Sequence, residues 1–163
     1  IDVVLHDDGP LGAWAAGADV GSRAHFAGPR GGYACANSNN WLLLAGDASA
    51  LPAIASVLET VADDVEVLVF ASLHDASDLN LLPEAYRQRC RWTDMGDDAL
   101  LDQIRAAVLP DAPGEVWGAG EAQFVRGLRR HVLLERGLDK RAVHCTGYWK
   151  HGAQDHPDSE SAD

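Results

Sequence analysis

Long apolar runs are missing from this chain, and none approaches the ~20 residues that a membrane span requires. Nor does the chain open on the charged start, apolar middle and small-residue cleavage site of a secretory signal. These absences lead us to expect a cytoplasmic protein without stable membrane association. Positive charge is scarce too: 13 Lys and Arg stand against 25 Asp and Glu, a formal net charge of -12. Such a surplus repels phosphate backbones and argues against a general nucleic-acid binder. Cysteine is limited to Cys35, Cys90 and Cys145, odd in number, widely spaced and without a CxxC pair. They read as thiols of a reducing compartment rather than a disulfide framework. Several catalytic patterns are absent as well. Ser49 lies in GDASAL, not in the GxSxG of a nucleophile elbow. His144 beside Cys145 lacks a second ligand pair, and His151 and His156 sit in a polar stretch, so no metal is expected. The His6-Asp7-Asp8 cluster reads as a strand end and turn.

What the chain does have is room for one good core, because a domain of about 150 residues hides ~70% of its unfolded surface. Its most informative stretch is Trp41 to Ile54, WLLLAGDASALPAI. Five apolar residues without polar alternation suit a strand buried on both faces, as in a parallel sheet. Leu51, Ile54, Ala55 and Leu58 then recur at helical spacing, with Ser49 able to cap and Pro52 tolerable in the first turn. A strand feeding a helix through a Gly-Asp turn can receive phosphate at the helix N-terminus. An empty structural turn explains the same residues equally well.

From Trp41 onward strands and helices alternate, which predicts an α/β fold: a five-stranded parallel sheet with helices on both faces. Strands are expected at 65–71, 91–95, 115–118 and 142–146. Asp97 or Asp98 should open a helix over 98–108 with Leu100, Ile104 and Val108 as its stripe, stopped by Pro110. The longest helix should run over 121–136 with Phe124, Val125, Leu128 and Val132 inward, closed by Gly137. Before this domain the reading is a short helix around Trp14, a strand at 25–27 and the turn-rich GPRGGY. Ser38, Asn39 and their neighbours form the junction. Residues 1–36 thus read as the tail of a preceding domain, 41–152 as the α/β domain and 153–163 as a disordered acidic tail.

Three features of this ladder could carry chemistry. Gly118-Ala119-Gly120-Glu121 ends a strand and opens a helix, where open α/β sheets bind ligands. Its glycines allow close approach to the backbone or merely a tight turn. Gly147-Tyr148-Trp149-Lys150 sets two rings and a cation at the end of the last strand, able to cover a planar cofactor or simply the core. Residues 126–150 hold seven Lys or Arg against two acids. Most simply these are a solvated helix face. Asp47 lies in the proposed ligand turn, although capping a neighbouring backbone group is the commonest use of such an acid.

The segments HDDGPLGAWA, GPRGGY, WLLLAGDASALPAI, VWGAGE, LRRHVLLERGLD and GYWKHG, in this order, resemble the siderophore-interacting protein family of ferric-siderophore reductases. The likeness runs from His6 to Gly152. In that family GPxSxWA ends a flavin-binding β-barrel, GDETALPAI opens the NAD(P)H domain and GYWRxG closes the chain. The resemblance implies a fold like ferredoxin-NADP reductase, with FAD and NADPH or NADH as cofactors and a ferric siderophore as small-molecule substrate of a monomeric oxidoreductase. Carried over residue by residue, His6, Gly9, Pro10, Gly12, Ala13 and Trp14 would lie along FAD. Gly46, Asp47, Ser49, Ala50, Ser72, His74, Gly118, Gly120 and Glu121 would meet the nicotinamide nucleotide. Trp149 and Lys150 would face the siderophore.

Departures from the pattern matter as well. Gly12 stands where the family has a pyrophosphate-binding Ser, and GDAS replaces GDET, removing one acid. Where the family often has Glu after the second strand, Ala71, Ser72 and His74 follow here, which leans toward NADPH. Lys150 replaces Arg, keeping the charge without the bidentate fork. The family's RxYTxR flavin motif is absent, so the chain alone is expected to lack most of an FAD site and to be inactive. A non-catalytic interaction module with a vestigial turn, and a Rossmann-like methyltransferase, are the other readings of the same residues.

Overall fold

The computed structural model describes Val3 and residues 10–25, 33–35 and 39–152, in two compact units, Ile1–Tyr33 and Ala34–Asp163. In the first unit, helix α1 (Pro10–Ala16) contains Trp14, as expected, and buries Gly12. His25 has no regular structure. The rest of the expected strand, all of GPRGGY but its Tyr, His6, Gly9, Ser38 and the tail from residue 153 lie outside the described residues.

The second unit is a five-stranded parallel sheet in the order β3-β2-β1-β4-β5. Strand β1 (Trp41–Asp47) is buried along its whole length, which its uninterrupted apolar run requires. A 3-10 turn (Ala48–Ala50) leads into α2 (Leu51–Leu58), whose buried residues include Leu51, Ile54 and Leu58. Then come β2 (Glu66–Ser72), a second 3-10 segment (Ala76–Leu81), α3 (Glu84–Arg87) and β3 (Arg91–Thr93). The chain continues through α4 (Asp97–Ala106), β4 (Gly114–Glu121), α5 (Ala122–Arg130) and β5 (Val143–Trp149).

This strand order decides where helices pack. The chain steps from β1 outward to β3, then returns across β1 to β4 and on to β5. Because parallel crossovers are right-handed, reversing the step direction moves the crossover helix to the other face of the sheet. Accordingly α4 and α5 share one core with Leu43 and Ala45 of β1, through Leu100, Leu101, Ile104, Phe124, Val125 and Leu128. Leu42 and Leu44, fully buried by alternation on the opposite face, look toward the side of α2.

Several expectations need correction. Ser49 does not cap α2: that helix starts from Ala50 without a side-chain cap, and Asp47 caps the preceding 3-10 turn by accepting from the Ser49 N–H. Val108 lies past the end of α4 and is exposed, while Ala107 takes the buried place. The long helix over 121–136 is two pieces, because after α5 the backbone continues as a π-helical turn (His131–Glu135) before Gly137 at φ +71° closes it. Strand β4 reaches Glu121 and β5 reaches Trp149, each three residues beyond its expected end. Residues 76–87, for which the sequence offered no element, contain a 3-10 segment and a short helix.

Candidate functional site

In a sheet of this order the connections from the carboxyl ends of β1 and β4 run to opposite sides, so the crevice between those ends is its topological switch point. Two acids stand there. Asp47 ends β1 and Glu121 ends β4, each only 8% exposed. A carboxylate is tolerated at such burial only when its oxygens are hydrogen-bonded. Asp47 meets this condition four times. Its Oδ1 accepts from the Ser49 backbone N–H at 2.8 Å and the Ser49 hydroxyl at 2.5 Å. Its Oδ2 accepts from the backbone N–H of Glu121 at 2.9 Å and from the indole Nε1–H of Trp149 at 2.8 Å. One carboxylate thereby ties β1 to β4 and to β5, across 74 and 102 residues of sequence.

Glu121 is the cap of α5: its Oε2 accepts from the N–H groups of Gln123 and Phe124, at 2.5 and 3.3 Å. Its Oε1 accepts from the His151 backbone N–H at 3.2 Å, which holds the chain just beyond β5 against β4. Asp97, the first residue of α4, joins the group. Burial pushes its carboxyl above the usual range, and the charges of Asp47, Glu121 and Asp98 push the same way against a hydrogen bond with Ser72. Ser72 pairs with Thr93 in the β2/β3 register, and the chain turns at Gly96, φ +86°, to enter α4.

The glycines of the crevice are explained by this packing. A Cβ on Gly120, which has φ +132°, would stand 2.5 Å from Oδ2 of Asp47. Gly46 is closed in by the Ala119 carbonyl and the Ala50 methyl, and Gly118 by Leu128. Each small residue makes room for another part of the protein.

The nicotinamide-nucleotide residues expected from the sequence are thus distributed as follows. Gly46, Asp47, Ala50, Gly118, Gly120 and Glu121 are buried around the switch point, Ser49 and Ser72 are half-buried beside it, and His74 is exposed after β2. Trp149 joins the group through Asp47, while Lys150 follows it, exposed. Pro10, Gly12, Ala13 and Trp14 belong to the other unit. Sequence reasoning missed Asp97 as a member of the site. Its position at a helix start suggested only a cap, and no spacing rule connects it to Asp47. The link from Asp47 to Trp149 has no signal in the sequence either, because the strand pattern fades at residue 146 while β5 runs on to Trp149.

The family profile described as siderophore-interacting protein matches residues 39–152, and the one described as siderophore-interacting FAD-binding domain matches residues 1–33. The chain is 39% identical over 168 residues to the uncharacterized protein Rv2895c of Mycobacterium tuberculosis, a match covering 93% of the chain and 59% of that protein. It is 27% identical over 152 residues to the NADPH-dependent ferric-chelate reductase of Escherichia coli, covering 91% of the chain and 59% of the reductase. Among solved structures, a siderophore utilization protein from T. fusca superposes with a TM-score of 0.76 at 30% identity, covering 96% of the chain and 62% of its own. The chain spans about three fifths of the length of these curated relatives.

Proposed function

Because the chain belongs to the siderophore-interacting protein family, we propose that it supplies the NAD(P)H-binding part of a flavin-dependent ferric-siderophore reductase. The observation that carries this reading is the pair of profiles in succession, flavin-binding then siderophore-interacting, the second coinciding with a sheet whose switch point holds the residues expected at the nucleotide. Their chemistry fits one end of that cofactor. The carboxylate of Asp97 and the hydroxyls of Ser49 and Ser72 can accept hydrogen bonds from ribose hydroxyls and from a carboxamide NH2. They do not suit a pyrophosphate, whose charge Asp47, Asp97 and Glu121 would repel.

Bound NAD(P)H and FAD supply the hydride and single-electron chemistry, and the ferric siderophore is the substrate. In this reading the protein contributes position and charge, and no side chain acts as nucleophile. Asp97 and Ser72 accept from the ribose, the backbone of the Gly46 turn limits how deeply the nucleotide enters, and Lys150 draws an anionic ferric chelate. Whether NADPH or NADH is used belongs to this proposal too. The acid-poor end of β2 and the NADPH-dependent E. coli relative favour NADPH.

One observation favours a second reading, a vestigial nucleotide turn serving interaction alone: the hydrogen-bonding capacity of Asp47 and the space beside Gly46, Gly118 and Gly120 are all used internally. The test joins this chain to a complete flavin-binding domain and follows Fe(II) release from a ferric siderophore with NADPH or NADH. Appearance of Fe(II) that depends on nucleotide supports the reductase. Fully loaded flavin with no Fe(II) from either nucleotide sinks it.

A further inference from the structure

Trp149 is oriented against the habit of its residue type. A tryptophan that merely covers a core buries its rings and leaves the indole N–H near water. Here the N–H donates inward, at 2.8 Å, to a carboxylate that is itself 8% exposed, while the residue as a whole is 41% exposed. The polar edge is satisfied inside, so what faces outward is apolar ring. Two backbone features produce this arrangement. The β4/β5 register runs Gly120 to Gly147 and then Glu121 to Trp149, so Tyr148 is an extra residue. Such an irregularity re-aims the side chains beyond it. In an unbroken register Tyr148 would stand opposite Glu121. The second feature is Gly120, whose missing Cβ leaves the Asp47 carboxylate room to reach the indole.

Building on the nucleotide-binding reading, we propose that the Trp149 ring is the wall on which the nicotinamide ring stacks, and that Asp47 is the positioning residue that sets the tilt of that wall. The sequence likeness had assigned Trp149 to the siderophore and Asp47 to direct contact with the nucleotide. The geometry points to a division of labour instead: Asp47 has its oxygens committed and acts through Trp149. The oxidised nicotinamide ring is a cation, and an indole face attracts cations. The nearby carboxylates of Asp47, Glu121 and Asp97 act in the same direction. The wall therefore holds the oxidised ring better than the neutral reduced one, which favours hydride leaving the nucleotide.

The test is isothermal titration of the 163-residue chain with NADP⁺ and NAD⁺, each against its ringless counterpart, 2′-phospho-ADP-ribose and ADP-ribose. Stacking on an aromatic side chain should make the ring-bearing ligand bind about tenfold tighter than the ringless one. Trp149→Ala should bring that ratio close to one while leaving the ringless ligand's affinity unchanged. Trp149→Phe, which keeps a ring but loses the N–H, should fall between, and adding Asp47→Asn to it should not lower the ratio further. Asp47→Asn alone should lower the ratio with Trp149 still present, an effect that general loosening would spread over both ligands. Should this variant fail to fold, the two Trp149 variants decide. Equal weakening of both ligands by Trp149→Ala, or of neither, overturns the proposal while the nucleotide-binding reading stands. Failure of all four ligands to bind the unaltered chain removes that reading and the proposal together.

Discussion

Gly120 and Gly137 both have positive φ, +132° and +71°, yet replacing each by alanine should have unequal consequences. At Gly137 an added Cβ meets nothing within 4 Å, so the cost is that of a left-handed backbone with a side chain, about 1–2 kcal/mol. At Gly120 the backbone lies farther from any well that L-residues occupy, which costs about 1–3 kcal/mol. The Cβ would also stand 2.5 Å from Oδ2 of Asp47, the oxygen that accepts from Glu121 and Trp149. This carboxylate sits on a short buried side chain at a strand end and has nowhere to retreat. Displacing it orphans the buried N–H of Glu121, a penalty of about 1–3 kcal/mol. Gly120→Ala should therefore lose about 2–6 kcal/mol in all. With a urea slope of about 2 kcal/mol/M, its midpoint should fall by about 1–3 M, against less than about 1 M for Gly137→Ala. Equilibrium urea titration of the two variants, followed by far-UV circular dichroism, measures both numbers. Equal midpoints would show that the Asp47 hub contributes little to stability.

Other perturbations follow from the same geometry. Burial raises the Cys90 thiol from 9.0 to about 11 and the Cys145 thiol from 9.0 to about 12. Both should resist a thiol reagent at pH 8 until urea is added. The unfolded chain releases these protons from pH 9 upward while the folded one retains them, so stability should fall as pH rises from 9 through 11 and 12. A midpoint that is flat over that range would contradict their burial. Asp97 is raised by burial and by its acidic neighbours, so its ionisation above the usual carboxylate range opposes folding at neutral pH. Asp97→Asn should raise the urea midpoint at pH 7, and the gain should shrink as the pH falls through the raised folded value toward the unfolded 3.8, below which it is gone. An unchanged midpoint at pH 7 would count against the crowding of Asp97 by Asp47 and Glu121. In a protein joining this chain to a complete flavin domain, Lys150→Ala should raise the KM for an anionic ferric siderophore more than that for NADPH. The effect should weaken with salt, because the Debye length is about 8 Å at physiological ionic strength. A raised NADPH KM alone would assign Lys150 to the nucleotide.

The parts of the fold that could be read in advance are those where burial imposes a pattern. Trp41–Asp47 lies between α4 and α5 on one side and α2 on the other, so it is apolar without alternation and its strand was plain. Phe124, Val125, Leu128 and Val132 all belong to the core and were legible from spacing alone. The segment 76–87 was not, because α3 buries nothing and only Leu82 beside it is fully covered. The end of β5 was hidden for a related reason. Gly147, Tyr148 and Trp149 are all at least partly exposed on an edge strand, and no periodicity marks a bulge. At the site, local chemistry was readable and long-range chemistry was not. That Asp47 would cap a neighbouring N–H followed from a two-residue separation, whereas its bond to Trp149 requires the register of the whole sheet.

The hydrogen bond between Asp47 and Trp149 also has a bearing on the order of folding. Its partners are 102 residues apart, and the later one lies on β5, the last strand of the sheet in sequence and one of its edges. During synthesis the chain emerges from its N-terminal side, so β1 to β4 can assemble while β5 is still in the ribosome. Until β5 docks, the inner oxygen of Asp47 lacks one of its two donors and Glu121 lacks the His151 N–H. The crevice therefore cannot be complete before β5 is in place, and an unfinished chain leaves its acid pair short of donors. A variant retaining Trp149 as its sole tryptophan should report this in refolding, its fluorescence changing with the slowest phase while circular dichroism has already recovered most of its amplitude. If both signals recover together, the docking of β5 is not a separate late step.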